Sequence, residues 1–222
     1  VAVAVDATTT GATLNAAGMS GVLTATQTTG LLSVTGGSGN DVLNSTDATN
    51  TTAVVNAGAG NDTVDLGIIF LGTATGGDGT DTLDVSAAVS LAGATISGFE
   101  TIDINNFDVT LDEAVVNGQG VVIQSTGGAA ETITLANILA TTDLSSLSFA
   151  DAFVTMNVDV SGANRDATLG AGSTFAITGS SAADVIVGGT AADTLLGKAG
   201  IDSITGGDGD DFIDGGDGAD TT

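Results

Sequence analysis

From residue 179 onward the chain divides into consecutive nines, GSSAADVIV, GGTAADTLL, GKAGIDSIT and GGDGDDFID, followed by GGDGADTT. The sixth residue of each unit is aspartate: Asp184, Asp193, Asp202, Asp211 and Asp220. The eighth residue of each complete unit is a large aliphatic: Ile186, Leu195, Ile204 or Ile213. An unbroken period of this kind marks a repeat architecture, in which one unit buries its apolar face only against its neighbours. The pattern also occurs earlier. Residues 36–44 read GGSGNDVLN, 57–65 read AGAGNDTVD and 76–84 read GGDGTDTLD, with motif aspartates Asp41, Asp62 and Asp81 spaced by 21 and 19 residues. In every copy, glycines that permit a tight turn precede the carboxylate, and an alternating strand follows it.

Composition decides whether so acidic a chain can fold. Its 222 residues carry 27 acidic groups against two cations, Arg165 and Lys198, for a net charge of -25. Charge of that size often signals disorder, but 42% of the residues are apolar and the mean hydropathy is +0.40. Disordered acidic chains cannot bury a core, whereas the wealth of Val, Ile, Leu and Thr here predicts a folded state whose charge is neutralised by cations. The charge excludes nucleic acid and anionic membrane surfaces as direct electrostatic partners. The chain lacks Cys, His, Trp, Tyr and Pro. That removes disulfides, thiolate and histidine metal sites, and Ser-His-Asp or Cys-His catalysis. No apolar run nears the roughly 20 residues that span a bilayer, so no membrane insertion is expected. A start at Val1 and a last unit one residue short of nine predict a piece of a longer polypeptide, with any secretion signal or cell-surface anchor outside it.

The repeated GGxGxDxUx pattern resembles the RTX, or haemolysin-type calcium-binding, family. The resemblance implies an all-β fold: a right-handed parallel β-helix or β-roll solenoid with calcium-binding turns, each nonapeptide forming a six-residue turn and a short strand. It also implies several calcium ions, each held between turns of neighbouring coils by early-turn carbonyls and sixth-position carboxylates. Calcium takes six to eight hard oxygen ligands, which such turns supply compactly. Carried over residue by residue, the carboxylate ligands are Asp41, Asp62, Asp81, Asp184, Asp193, Asp202, Asp211 and Asp220. The backbone ligands are Gly36, Ser38, Ala57, Gly58, Ala59, Gly60, Gly77, Gly79, Gly206, Gly207, Asp208 and Gly209, with Asp217 in the same role as Asp208. An EF-hand does not fit, because no D-x-D-x-D-G loop ends in glutamate at its twelfth position.

With two nonapeptides per coil, a spacing near twenty places one calcium turn on each early coil along a single edge. In the C-terminal run alternate turns share an edge, so Asp184, Asp202 and Asp220 form one ladder and Asp193 and Asp211 the other. A further early rung starts at Glu100: the sequence from Glu100 through Ile104 matches Asp81 through Val85, behind a shorter loop that caps the ladder. Glu100 stands in the aspartate place and is read as a ligand there. Leu43, Val64, Leu83 and Ile102 then stack inward, and Asn44, Asp65, Asp84 and Asp103 outward. Ninth-position acids, Asp214 included, are read as exposed strand residues. GSSAAD, GGTAAD and GKAGID depart from the glycine pattern and are expected to bind more weakly. Arg165 and Lys198 are read as ordinary surface or local-pair residues.

These readings divide the chain into a solenoid with a one-edge calcium ladder (1–104), a β-rich continuation (105–176) and a nonapeptide β-roll (177–222). Within the continuation GVVIQST, ETITLANIL, FVTMNVDV and TFAITG read as strands, LDEAVV or ADAF as a helical turn, and Glu131 as an echo of the motif acid. The ensemble also looks like the calcium-dependent surface-layer (S-layer) proteins of Gram-negative bacteria, of the Caulobacter type. That resemblance implies type I secretion, folding in extracellular calcium, no enzymatic role, and self-assembly of identical subunits into a lattice at the cell surface. A stalk segment of a large RTX adhesin, or the C-terminal calcium-binding domain of an RTX enzyme or toxin, are the alternatives.

Overall fold

Short β-branched strands separated by glycine turns stack in parallel throughout the structure. It is a computed structural model that describes residues 3–7, 12–27, 32–45, 53–67, 70–116, 119–125, 132–136, 142–144, 148–149, 155–159, 166–169, 175–179 and 181–222. Two compact units are present, Val1–Val109 and Thr110–Thr222.

In the first unit each coil contributes one strand to each of two sheets. In chain order they are β1 (Val3–Ala7) and β2 (Ala12–Asn15), β3 (Leu23–Gln27) and β4 (Leu32–Thr35), β5 (Val42–Ser45) and β6 (Val54–Ala59), β7 (Thr63–Asp65) and β8 (Thr73–Asp78). Then come β9 (Thr82–Asp84), the two-residue β10 (Val89–Ser90), β11 (Thr95–Ser97) and β12 (Thr101–Asp103). Strands β1-β3-β5-β7-β9-β12 lie in one sheet and β2-β4-β6-β8-β11 in the other, with parallel register throughout. The segments before residue 36 therefore form two coils of the same solenoid.

Alternation along each strand sends every second side chain inward. Ala25, Leu43, Val64, Leu83 and Ile102 form one register column, and Val34, Val55, Ala74 and Ile96 form another on the second sheet. All nine are buried. Each larger member contributes about 1.5–3 kcal/mol by leaving water. The sequence-predicted inward stack is thus the core of this unit. The sequence pattern assigns the edge away from the calcium turns to NSTDATN (44–50) and LGIIFLG (66–72), and most of the first lies outside the described residues. The second carries fully buried Phe70.

The boundary between the units falls within β13 (Val109–Asp112), which leads into a short 3-10 turn, Glu113–Val115, capped by the Asp112 side chain accepting from Ala114 N–H at 3.2 Å. The strands that follow are β14 (Val122–Gln124), β15 (Thr132–Ala136), β16 (Thr142–Leu144), β17 (Ser148–Phe149), β18 (Thr155–Asp159), β19 (Asp166–Leu169) and β20 (Phe175–Thr178). The last four are β21 (Val185–Val187), β22 (Thr194–Leu196), β23 (Ser203–Thr205) and β24 (Phe212–Asp214). Strands β15-β18-β20-β22-β24 and β16-β19-β21-β23 form two parallel series. Leu135, Val158, Ile177, Leu195 and Ile213 share one column; Leu135, Ile177 and Leu195 are buried, and Ile213 on the last coil is half-buried. Each of the four segments read as strands between 105 and 176 contains a strand, and LDEAVV supplies the helical turn. ADAF, Glu131 and Arg165 lie outside the described residues.

Because Leu83 sits between Val64 and Ile102 in a closed column, Leu83→Ala leaves a cavity that neighbouring coils cannot fill. A loss of about 2–5 kcal/mol is expected, read by denaturant unfolding at saturating calcium. A loss below about 1 kcal/mol would show that the column is not the core.

Candidate metal centre

The motif carboxylates occupy places that belong, by register, to the hydrophobic core. In the first unit Val3 and Leu23 are paired, and Asp41, Asp62, Asp81 and Glu100 continue that column coil by coil. In the second, Ile133, Met156 and Phe175 are followed by Asp193 and Asp211. Leu23 is 1% exposed and Phe175 0%; Asp41, Asp62, Asp81 and Asp193 are 1%, 1%, 0% and 2% exposed. Two of the three ladders, those that begin at Asp41 and Asp193, therefore stand on an apolar foot. Sequence reading missed Leu23 and Phe175 as their base, although each lies eighteen residues before its first aspartate.

Glu100 and the motif aspartates Asp41, Asp62, Asp81, Asp193, Asp202, Asp211 and Asp220 each have one oxygen that accepts from the backbone of the coil below. Asp41 Oδ1 accepts from Leu23 N–H at 2.7 Å, Asp62 Oδ1 from Asp41 N–H at 2.6 Å, and Asp81 Oδ1 from Asp62 N–H at 2.8 Å. Glu100 Oε2 accepts from Asp81 N–H at 2.8 Å, so Glu100 fills the aspartate place at the top of this ladder. The C-terminal roll repeats the device. Asp184 N–H donates to Asp202 Oδ1, Asp202 N–H to Asp220 Oδ1 and Asp193 N–H to Asp211 Oδ1, each at 2.9 Å. The alternate-edge ladders expected from the nonapeptide period are thus formed.

The second oxygen divides the turns into two kinds. At the feet it is satisfied: Asp41 Oδ2 accepts from Gly37 N–H at 2.8 Å, and Asp193 Oδ2 from Gly189 N–H at 2.9 Å. Above them Asp62, Asp81 and Asp202 keep a buried Oδ2 with no hydrogen-bond partner. In those three turns the second residue, Gly58, Gly77 or Lys198, has a left-handed backbone, with φ of 114°, 122° and 75°. A fully buried carboxylate oxygen without a donor is costly. A cation supplies what the backbone withholds.

Backbone oxygens converge on the same spot. A Cβ built on Gly76 would collide with the Gly98 carbonyl and lie 2.7 Å from Asp81 Oδ2; one on Gly197 would lie 2.5 Å from both Asp202 Oδ2 and the Gly215 carbonyl. Gly36 faces the Ala57 carbonyl and Asp41 Oδ2 in the same way, and Gly206 faces Asp211 Oδ2. First-position glycines thus leave a cradle lined by their own turn's carboxylate and the next coil's first carbonyl. Ala57, at this position in its own turn, carries a fully buried methyl. Glycines at positions two and four, Gly58, Gly60, Gly77, Gly79, Gly207 and Gly209, pack against the carbonyls of the same positions one coil below. At position three, Ser38 N–H donates to Met19 O, Ala59 N–H to Gly37 O and Asp208 N–H to Gly189 O. Among the described residues no three acidic side chains converge on one point, so a bound ion draws on carbonyls as well as carboxylates. This donor set of hard oxygens suits calcium. Bound there, calcium would neutralise the carboxylates and bridge successive coils.

Without the ion the ladders repel. Coils stack about 4.8 Å apart, at which two carboxylates cost about 3–4 kcal/mol at an effective dielectric of 20. Burial, helped by the charges of Asp81 and Asp41, pushes Asp62 up to about 6. Burial also raises Asp81, next to Glu100 and Asp78, and Asp193, next to Asp211.

The ninth-position acids differ from expectation. Asp65 and Asp103 are each 8% exposed, and Asn44 and Asp84 are half-buried. Their strands end at the edge away from the calcium turns, where the carboxylates fold back on the backbone. Asp65 Oδ1 accepts from Gly67 N–H at 3.1 Å and Asp103 Oδ1 from Asn105 N–H at 3.0 Å, while the Asn105 amide donates to Asp84 Oδ1 at 2.7 Å. Only Asp214 is exposed as read. Lys198 is exposed, but its backbone occupies a glycine's conformation, which costs roughly 1–2 kcal/mol.

A raised carboxyl pKa fixes the sign of the pH dependence. The protonated form is favoured by the metal-free fold, so its stability is full below about pH 4 and falls as pH rises through about 6. Calcium needs the ionised form and acts oppositely, losing grip as pH falls through the same window. Thermal melts in chelator are expected to give a higher midpoint at pH 4 than at pH 7, and Asp62→Asn should flatten that difference. A metal-free midpoint rising from pH 4 to 7 would contradict the assignment.

The RTX calcium-binding nonapeptide repeat matches this chain in four copies, at residues 33–51, 54–68, 177–200 and 187–222. The turn that begins at Gly76 lies outside those ranges and is joined to them by register. No curated protein and no solved structure matches the chain. The chain is a parallel β-solenoid that carries RTX calcium-binding repeats in both of its compact units.

Proposed function

We propose that this chain is a structural, calcium-loaded segment of a secreted bacterial surface-layer protein, which folds and assembles with identical subunits into a lattice on binding calcium. The observation that carries the reading is the placement of orphaned carboxylate oxygens in core columns, at Asp62, Asp81 and Asp202. A fold with that requirement is completed only where calcium is abundant, as outside the cell, where calcium modules bind at about 0.1–1 mM. The net charge of -25 extends the requirement to assembly: like-charged subunits approach closely only with cations between them. Type I export before folding is consistent with this order of events. The reading gives the segment no catalytic role.

The adhesin-stalk reading gains from one feature. Small, mostly polar residues on the second sheet of the first unit, scattered in the sequence, align as two columns, the first interrupted by Val54. One is Thr13, Ser33, Val54, Thr73 and Thr95; the other is Asn15, Thr35, Asn56, Thr75 and Ser97. Such a regular face would suit a repetitive rod.

Electron microscopy of the purified chain separates the two. Ordered sheets in millimolar calcium that disperse in chelator are expected from the surface-layer reading. Isolated particles under both conditions would favour the stalk and remove the lattice.

A further inference from the structure

The fifth position of the early calcium turns carries a second ladder, which runs opposite to the carboxylate one. Asn61 N–H donates to Asn40 Oδ1 at 3.0 Å, and Thr80 N–H donates to Asn61 Oδ1 at 3.1 Å. Here the upper coil donates to a side chain below, whereas in the aspartate ladder the lower coil donates to a side chain above. Turns 36–41, 57–62 and 76–81 are therefore clasped in both directions.

The C-terminal roll has no such clasp. Its lower fifth-position residues are Ala183, Ala192 and Ile201, beneath Ile201, Asp210 and Ala219. A hydrocarbon side chain offers no acceptor. Ala183 and Ala192 are exposed and Ile201 is 68% exposed, so these places are open to solvent.

The contrast matters most without metal. A neutral amide ladder is untouched by the charge repulsion that loosens the carboxylate ladder. It acts on glycine-rich turns, which lose the most backbone entropy on ordering. Ordering them in advance lowers the cost of binding an ion. The geometry points to Asn40 and Asn61 as positioning residues: they hold the calcium turns of the first unit stacked in the metal-free chain, so that these turns fill at lower calcium than those of the C-terminal roll. This rests on the reading of the turns as calcium sites.

Amide hydrogen exchange of the full chain, in chelator and through a titration with calcium alone, tests it. In chelator the Thr80 amide is expected to be protected in the wild type and in Asn61→Asp, which keeps the acceptor, and unprotected in Asn61→Ala. The calcium midpoint of the 57–62 and 76–81 turns should rise about three- to tenfold in Asn61→Ala, the size of one exposed hydrogen bond. Ala192→Asn, which places an acceptor beneath Asp210 without changing charge, should lower the midpoint of the roll by a similar factor. Unchanged midpoints in both Asn61→Ala and Ala192→Asn, beside a normal wild-type titration, would overturn the proposal alone. A wild type with Thr80 protected but no calcium response in any turn would overturn the calcium reading, and this proposal with it.

Discussion

A carboxylate inside a hydrophobic column is the constraint on which this molecule turns. Val3 and Leu23 lead into Asp41, Asp62, Asp81 and Glu100; Ile133, Met156 and Phe175 lead into Asp193 and Asp211. Where the column is apolar, burial stabilises the coil directly. Where it is acidic, the same burial is unfavourable until a cation arrives, because each added coil brings another like charge within about 5 Å. Repulsion between several such pairs rivals the ~5–15 kcal/mol that stabilises a whole domain. Metal binding is then coupled to the stability of these turns.

The backbone is arranged around that demand. One carboxylate oxygen is spent on register, accepting the N–H of the coil below. The other is left open at Asp62, Asp81 and Asp202, in turns whose second residue has a left-handed backbone. Glycine meets that conformation at little cost, and Lys198 meets it under strain. At Asp81 and Asp202 first-position glycines complete the site by subtraction, since a methyl at Gly76 or Gly197 would fill the space between carboxylate and carbonyl; at Asp62 that position holds Ala57 with its buried methyl. Within each unit the solenoid contributes regular stacking, so that one turn's carboxylate and the next turn's carbonyl arrive together.

Much of this was legible in the residues. The nonapeptide period placed Asp184, Asp202 and Asp220 on one ladder, and the match of Glu100 with Asp81 found the top rung of the other. Both follow from periodicity, which the chain states openly. The feet of the ladders were not legible, because Leu23 and Phe175 resemble any other core residue until register shows that they share a column with carboxylates. Asp65 and Asp103 were read as exposed because alternation turns them away from the core column. Their burial arises from edge turns closed by Gly67 and Asn105, which a strand pattern does not encode. The asparagine clasp was hidden for a similar reason, since position five is variable in the motif and only stacking reveals its partner.

The most direct test of the central claim is anomalous diffraction from crystals grown with calcium and then exchanged with a lanthanide. Peaks are predicted between coils, beside Oδ2 of Asp81 and Asp202 and the first-position carbonyl of the next turn. Well-ordered crystals with only water at those oxygens, and the ions elsewhere on the acidic surface, would contradict it.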